Sequence, residues 1–164
     1  MIVAIYGRSC SGKTILSNSL SEQLSIAVRH CGEAVKELAA RAGVSPGELN
    51  PEDHLNIDEE TRQAAAVNVN LIIEGCFLDK VLAESQSILV ELRCETEVRN
   101  SRYQERNSSM QFEAREKSDV ELKARLYGDA PGRPPDLTVD TTHLKTEETV
   151  TEVKTWLQTQ GWLA

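Results

Sequence analysis

Positive charge is scarce in this chain. Its 164 residues carry 18 Lys and Arg against 26 Asp and Glu, a net charge of −8. The surface as a whole therefore repels polyanions, which excludes a nucleic-acid polymer as a partner. Long apolar runs are missing too. Met1-Ile2-Val3-Ala4-Ile5 reaches Tyr6-Gly7 too soon for a signal-peptide core or a membrane span, so a cytoplasmic chain with no membrane partner is expected. Cys10, Cys31, Cys76 and Cys94 show no C-x-x-C spacing, and His30, His54 and His143 form no H-x-x-x-H pattern. Those absences exclude a zinc knuckle and a redox pair and leave the cysteines as reduced thiols.

What is present is an ordinary globular composition, 40% apolar and 27% charged, with enough residues for one unstapled core. Residues 1–164 read as a single domain, expected as a monomer or weak dimer, without an internal repeat or linker. Short β-rich runs alternate with segments of helical period, the pattern of a parallel sheet covered by helices, so the fold class is α/β. Strands are expected at Ile2–Tyr6, Ile26–Val28, Asn70–Glu74, Ser87–Leu92 and Asp136–Asp140. Helices are expected from Lys13 to about Gln23, with Ile15, Leu16, Leu20 and Leu24 on its apolar face, and over Gly32–Arg41, Asp58–Val67 and Thr146–Gln160. Ser45-Pro46-Gly47-Glu48 starts a short helical turn. Between Glu95 and Tyr127 two helices flank a mobile turn at Asn107-Ser108-Ser109.

The chemistry is announced by Gly7-Arg8-Ser9-Cys10-Ser11-Gly12-Lys13-Thr14, which fits G-x-x-x-x-G-K-S/T and stands between an expected strand and an expected helix, the context that motif requires. Gly7 and Gly12 allow the backbone to curl so that its N–H groups surround phosphate oxygens, and the helix N-terminus adds positive potential. Lys13 reaches the β- and γ-phosphates as a point charge, and the Thr14 hydroxyl is placed to ligate Mg2+. The whole loop, Gly7, Arg8, Ser9, Cys10, Ser11, Gly12, Lys13 and Thr14, thus reads as a nucleoside triphosphate site, with ATP and Mg2+ as the expected cofactors. The chain has no N/T-K-x-D guanine signature and no typical D-x-x-G switch after the third strand, which argues against a GTPase.

Further landmarks follow the loop in order: Cys31-Gly32-Glu33-Ala34-Val35-Lys36-Glu37-Leu38-Ala39, Ile72-Ile73-Glu74-Gly75, Glu97-Val98-Arg99 with Arg102 and Arg106, Arg115-Glu116-Lys117-Ser118, Leu126-Tyr127-Gly128-Asp129 and Asp136-Leu137-Thr138-Val139-Asp140-Thr141. On these segments the chain resembles the P-loop nucleoside monophosphate kinases, closest to the short cytidylate kinase-like group, nearly end to end. The resemblance implies a three-layer α/β/α fold with a five-stranded parallel sheet in the order 2-3-1-4-5 and a small helical lid over approximately residues 99–118.

Phosphoryl transfer relies on cations that close over the moving group, and Arg102, Arg106 and Arg115 are the candidates, beside Lys13. Arg102 and Arg106 share a helix face, and the resemblance implies that such a pair contacts ATP and the acceptor phosphate. The plain alternative is a solvated charged face, with Glu95 and Glu105 as partners. Lys36 stands where the family usually has an arginine for the acceptor phosphate, and is otherwise an exposed helix lysine. Arg62 is a possible acceptor contact or an ordinary surface arginine. Glu74, ending the third strand beside the loop strand, is the expected second magnesium-organising carboxylate and a lining residue of the acceptor site. Cys76 departs from the resemblance, since the matching family segment commonly reads Glu-Gly-Arg or Asp-Gly-Arg. The expected activity is ATP-dependent transfer of the γ-phosphoryl group to a small-molecule phosphate acceptor, with a nucleoside monophosphate such as CMP favoured. The alternatives are a small-molecule kinase with a hydroxyl acceptor on the same scaffold, for which Asp58 or Glu33 would be the base, and a non-catalytic nucleotide-binding regulator.

Overall fold

In the computed structural model, which describes residues 1–106 and 111–163, five strands form one sheet. They are β1 Ile2–Gly7, β2 Val28–His30, β3 Leu71–Gly75, β4 Ile88–Arg93 and β5 Leu137–Asp140. All four pairings are parallel and the order is β2-β3-β1-β4-β5, the order that the family resemblance implies. Ile5 pairs with Glu74 and Gly7 with Leu92, so the chain leaves β1 between the C-terminal ends of its two neighbours. That is where an open parallel sheet changes winding direction and forms its binding crevice.

The near-continuous apolar runs of β1, β3 and β4 are buried on both faces, as parallel strands require. On one face Val3, Ile5, Ile72, Val90 and Val139 pack with Leu16 and Leu20 of α1 (Lys13–Leu24) and with Val150, Val153 and Leu157 of α7 (Thr146–Thr159). On the other, Ala4, Tyr6, Ile73 and Leu89 meet Leu78, Val81 and Leu82 of α4 (Leu78–Val81) and the turn after it, with Cys31 of α2 (Cys31–Ala42), Ala64 and Ala65 of α3 (Pro51–Val67) and Tyr127 of α6 (Phe112–Tyr127) at the margin. Among the described residues the remaining α-helix is α5, Thr96–Gln104, and a 3-10 turn spans Pro46–Glu48.

Four elements differ from expectation. β2 lies two residues later than the apolar run Ile26–Val28, because its pairing with β3 begins at Val28 and leaves Ile26 to pack on the core from the preceding loop. α3 starts at Pro51 rather than Asp58. Its cap explains why: the Asn50 side chain accepts from the Asp53 N–H at 2.9 Å, Pro51 occupies the first turn, and Glu52 and Asp53 face the positive helix end. The short α4 has no counterpart in the sequence reading. Ile15, assigned to the buried face of α1, is 49% exposed, since the core line runs through Leu16, Leu20 and Leu24 at four-residue steps. The turn expected at residues 107–109 lies outside the described residues.

Candidate active site

The loop between β1 and α1 is shaped by its glycines. Gly7 has φ +146° and an added Cβ would sit 2.3 Å from the Leu92 carbonyl oxygen, while Gly12 has φ +98°; both conformations belong to glycine. Cys10 adopts φ 63° without that freedom, a strained state that its surroundings must hold.

Those surroundings are hydrogen bonds to the loop's carbonyls. Arg8 O accepts from Lys13 Nζ at 2.8 Å, Ser9 O from Arg99 Nη1 at 3.3 Å, Cys10 O from Arg102 Nη1 at 3.4 Å and Ser11 O from Thr141 Oγ1 at 2.8 Å. In a trans peptide the N–H points away from the C=O, so with these carbonyls bound to side chains the N–H groups of Cys10 and Gly12 turn to the opposite side. Lys13 itself is 7% exposed, and Ser11 Oγ is buried without a hydrogen-bond partner among the described residues.

A charged clasp joins the loop to α5 and α6. Glu116 takes a two-pronged bond from Arg99 at 2.7 and 2.8 Å and a third from Arg8 at 2.8 Å. Arg99 is 1% exposed and its guanidinium lies 5.4 Å over the Phe112 ring. The hydrogen bond from Arg99, ahead of its charge and of Arg8, holds the Glu116 carboxyl below the usual carboxylate range. One turn on, Asp119 accepts from Ser9 Oγ at 2.8 Å and pairs with Arg115 at 3.1 Å.

Two cavities flank the loop. One, of about 400 Å3, runs from Cys10–Gly12 past Ile15, Arg102 and Arg106 to Thr141 and Leu144. The outward-facing Ile15 is thus a cavity wall. The other, of about 410 Å3, lies against Gly7 and Arg8 and includes Cys76, Phe77, Asp79, Glu91, Arg99, Asp119 and Lys123.

The residues expected at the site are dispersed unevenly. Arg102 binds Thr141 O at 2.7 Å as well as Cys10 O, and is used in holding backbone. Arg106 is exposed at the first cavity's rim. Arg115 is occupied by Asp119 on its own helix. Glu74 is buried at the end of β3, with its Oε2 3.1 Å from His30 Nδ1 at the end of β2. Lys36 is exposed on α2, and Arg62, paired with Glu59 at 3.0 Å, is exposed on α3; neither lines either cavity. Sequence reading gives Thr141, Glu116 and Asp119 no role. Their only signals are that Thr141 and Glu116 fall within the family-like segments and that Glu116 and Asp119 are three apart on one helix face.

This donor set suits a chain of phosphates. Inward N–H groups, a lysine, an unpartnered buried hydroxyl and the start of α1 all favour bound negative charge. For Mg2+, Thr14 is exposed at the start of α1 and could supply one oxygen. Among the described residues no group of three or more His, Cys, Asp or Glu side chains is arranged to hold a metal, so further ligands would come from phosphates and water, the usual habit of this ion.

Residues 3–123 match the family model described as AAA domain. A cytidylate kinase of Sulfurisphaera tokodaii is 32% identical over 114 residues, 66% of this chain and 63% of the relative, so the chain spans less than two thirds of that protein. A cytidylate kinase of Pyrobaculum neutrophilum is 28% identical over 140 residues, 78% of this chain and 76% of its own. Among solved structures, a shikimate kinase from Aquifex aeolicus has a TM-score of 0.61 at 21% identity with both chains fully covered, a likeness of fold.

Proposed function

This chain belongs to the AAA domain family, and from that premise we propose that it is an ATP-dependent phosphotransferase acting on a small acceptor. The observation that carries the reading is the loop itself: side chains hold the carbonyls of Arg8–Ser11, the Lys13 ammonium lies within the loop 2.8 Å from Arg8 O, and the Ser11 hydroxyl is buried without a partner among the described residues. In this reading Gly7–Thr14 bind the triphosphate and Lys13 neutralises charge as the γ-phosphoryl group passes from ATP to the acceptor oxygen, with ADP as the leaving group. Thr14, with Glu74 through water, would hold Mg2+, which when bound supplies charge neutralisation at the β- and γ-oxygens. Arg106, exposed at the cavity rim, would reorient over the transferred group, Arg115 would do so on release from Asp119, and Lys36 and Arg62 would turn toward an acceptor phosphate. Residues 1–164 act as one catalytic unit, a monomer or weak dimer. The four unpaired thiols and the use of ATP fit the cytoplasm.

A nucleoside monophosphate such as CMP is the preferred acceptor, supported by the relatives named cytidylate kinase. A hydroxyl acceptor is the second reading, favoured by the second cavity: Cys76 brings no charge there, and the cations Arg8, Arg93, Arg99 and Lys123 of its lining are matched by the carboxylates Asp79, Glu91, Glu116 and Asp119. Coupled ADP release measured with CMP, other nucleoside monophosphates, sugars and hydroxy acids decides between them. CMP-stimulated turnover is expected, falling on the order of 100-fold or more in Lys13→Ala. Turnover only with an alcohol moves the acceptor to the second reading. A Lys13→Ala variant with wild-type rate overturns the phosphate-site assignment.

A further inference from the structure

Thr141 stands just past β5, far in sequence from the loop it touches. Its backbone N–H donates to Arg93 O at 2.8 Å, so that carbonyl already has a partner. The hydroxyl, 3.1 Å from Arg93 O and 2.8 Å from Ser11 O, has one proton to give, and Ser11 O is the nearer acceptor and the one with no other partner among the described residues. Thr141 is 4% exposed, so an unbonded Ser11 carbonyl at this point would be shut away from water at a real cost. The Thr141 carbonyl in turn accepts from Arg102 Nη2 at 2.7 Å, and the same guanidinium reaches Cys10 O. Thr141 and Arg102 therefore secure two consecutive loop carbonyls, immediately after the strained φ of Cys10.

We infer that Thr141 is a positioning residue for the triphosphate site: its hydroxyl holds the Ser11 carbonyl and so turns the Gly12 N–H of the same peptide toward the phosphates, while Arg102 holds the Thr141 carbonyl in place. It does this without touching the ligand. The inference rests on the loop being a phosphate site. Without the hydroxyl, the Ser11–Gly12 peptide is free to rotate and bound phosphate must order it, which weakens binding of the phosphates and leaves the nucleoside portion unaffected. Valine keeps the methyl group and the branched shape of Thr141, so the variant isolates the hydrogen bond.

The test is calorimetric titration of the full chain with two probes, inorganic tripolyphosphate and adenosine. Thr141→Val is expected to weaken tripolyphosphate about fivefold to tenfold and leave adenosine unchanged. Thr141→Ser is expected to restore tripolyphosphate to within about twofold of wild type. Arg102→Gln, which cuts the Cys10 bond, should weaken tripolyphosphate in the same direction. Wild-type tripolyphosphate affinity in Thr141→Val, an equal loss for both probes, or a serine variant no better than valine each overturns the inference. Lys13→Ala separates this from failure of the underlying reading: if Lys13→Ala binds tripolyphosphate as wild type does, the loop is not the phosphate site and the inference falls with it.

Discussion

Gly7 answers two demands that no other residue meets together. Its φ of +146° lies outside the range of side-chain-bearing residues, and a Cβ there would meet the Leu92 carbonyl oxygen of the neighbouring strand at 2.3 Å. Gly7→Ala is expected to lose about 3 kcal/mol, lowering Tm by roughly 6 to 12 °C in calorimetry, along with phosphate binding. An alanine variant with unchanged Tm would refute the close approach of β1 to β4. That glycine was legible because the motif is local: eight consecutive residues state both the turn and the chemistry. Arg99 and Glu116 were not. Seventeen positions apart, they stand in separate family-like segments that say nothing of a pairing, and only the folded chain shows one to be 1% exposed and gripped by the other. Arg102 was legible as a residue of the site. Its bonds to Cys10 and Thr141 carbonyls depend on where β5 ends, which periodicity does not report.

Between α3 and α6 the packing includes titratable groups outside the loop. The Tyr127 hydroxyl donates to Asp58 at 2.7 Å, and Phe77 sits edge-on to the Tyr127 ring at 5.9 Å. His54, on the same side of α3 one turn earlier, is 6% exposed and its Nε2 has no partner among the described residues. Burial first, and then the Arg125 charge from α6, push its pKa below the ordinary 6.5, with Asp53 opposing. The sign follows directly. Below pH 6.5 the unfolded chain takes up a proton that the folded chain resists, so this site's contribution to stability is present above that pH and is lost as pH falls. Thermal unfolding from pH 7.5 to 5 should show wild type losing more stability than His54→Gln, by at most about 1.4 kcal/mol per pH unit. Parallel curves would show that His54 does not titrate differently on folding. At this scale legibility varied with mechanism. The α3 start at Asn50-Pro51 carried its capping residues in the sequence, although helical period alone placed it seven residues late. The edge strand β2 carried no such mark, because three half-buried residues paired on one side leave no apolar run.

For the molecule as a whole, a net charge of −8 coexists with a cluster of cations at the C-terminal end of the central strands, where Arg8, Lys13, Arg99, Arg102 and Arg106 gather around the loop or line the cavities beside it. A negative average charge disfavours an extended polyanion, and the local cations leave room for a single nucleotide. Mg–ATP at one hundred times its Kd should stabilise the fold by about 2.7 kcal/mol, raising Tm by roughly 5 to 10 °C in a thermal shift assay. Lys13→Ala should lose most of that shift, and a wild type indifferent to Mg–ATP would count against the proposed site. The α/β class and the approximate strands could be read from apolar runs, whereas the strand order came from likeness to a family, since each pairing joins segments tens of residues apart.

β1 lies at the middle of the sheet, yet the hydroxyl that secures Ser11 hangs from the end of β5, an outer strand of four residues paired on one side only. Outer strands open by local fluctuation more readily than central ones. An opening of β5 that carries Thr141 away would free one carbonyl of the loop even while β1 stays fully paired, so order in the central loop is tied to an outer strand of the sheet.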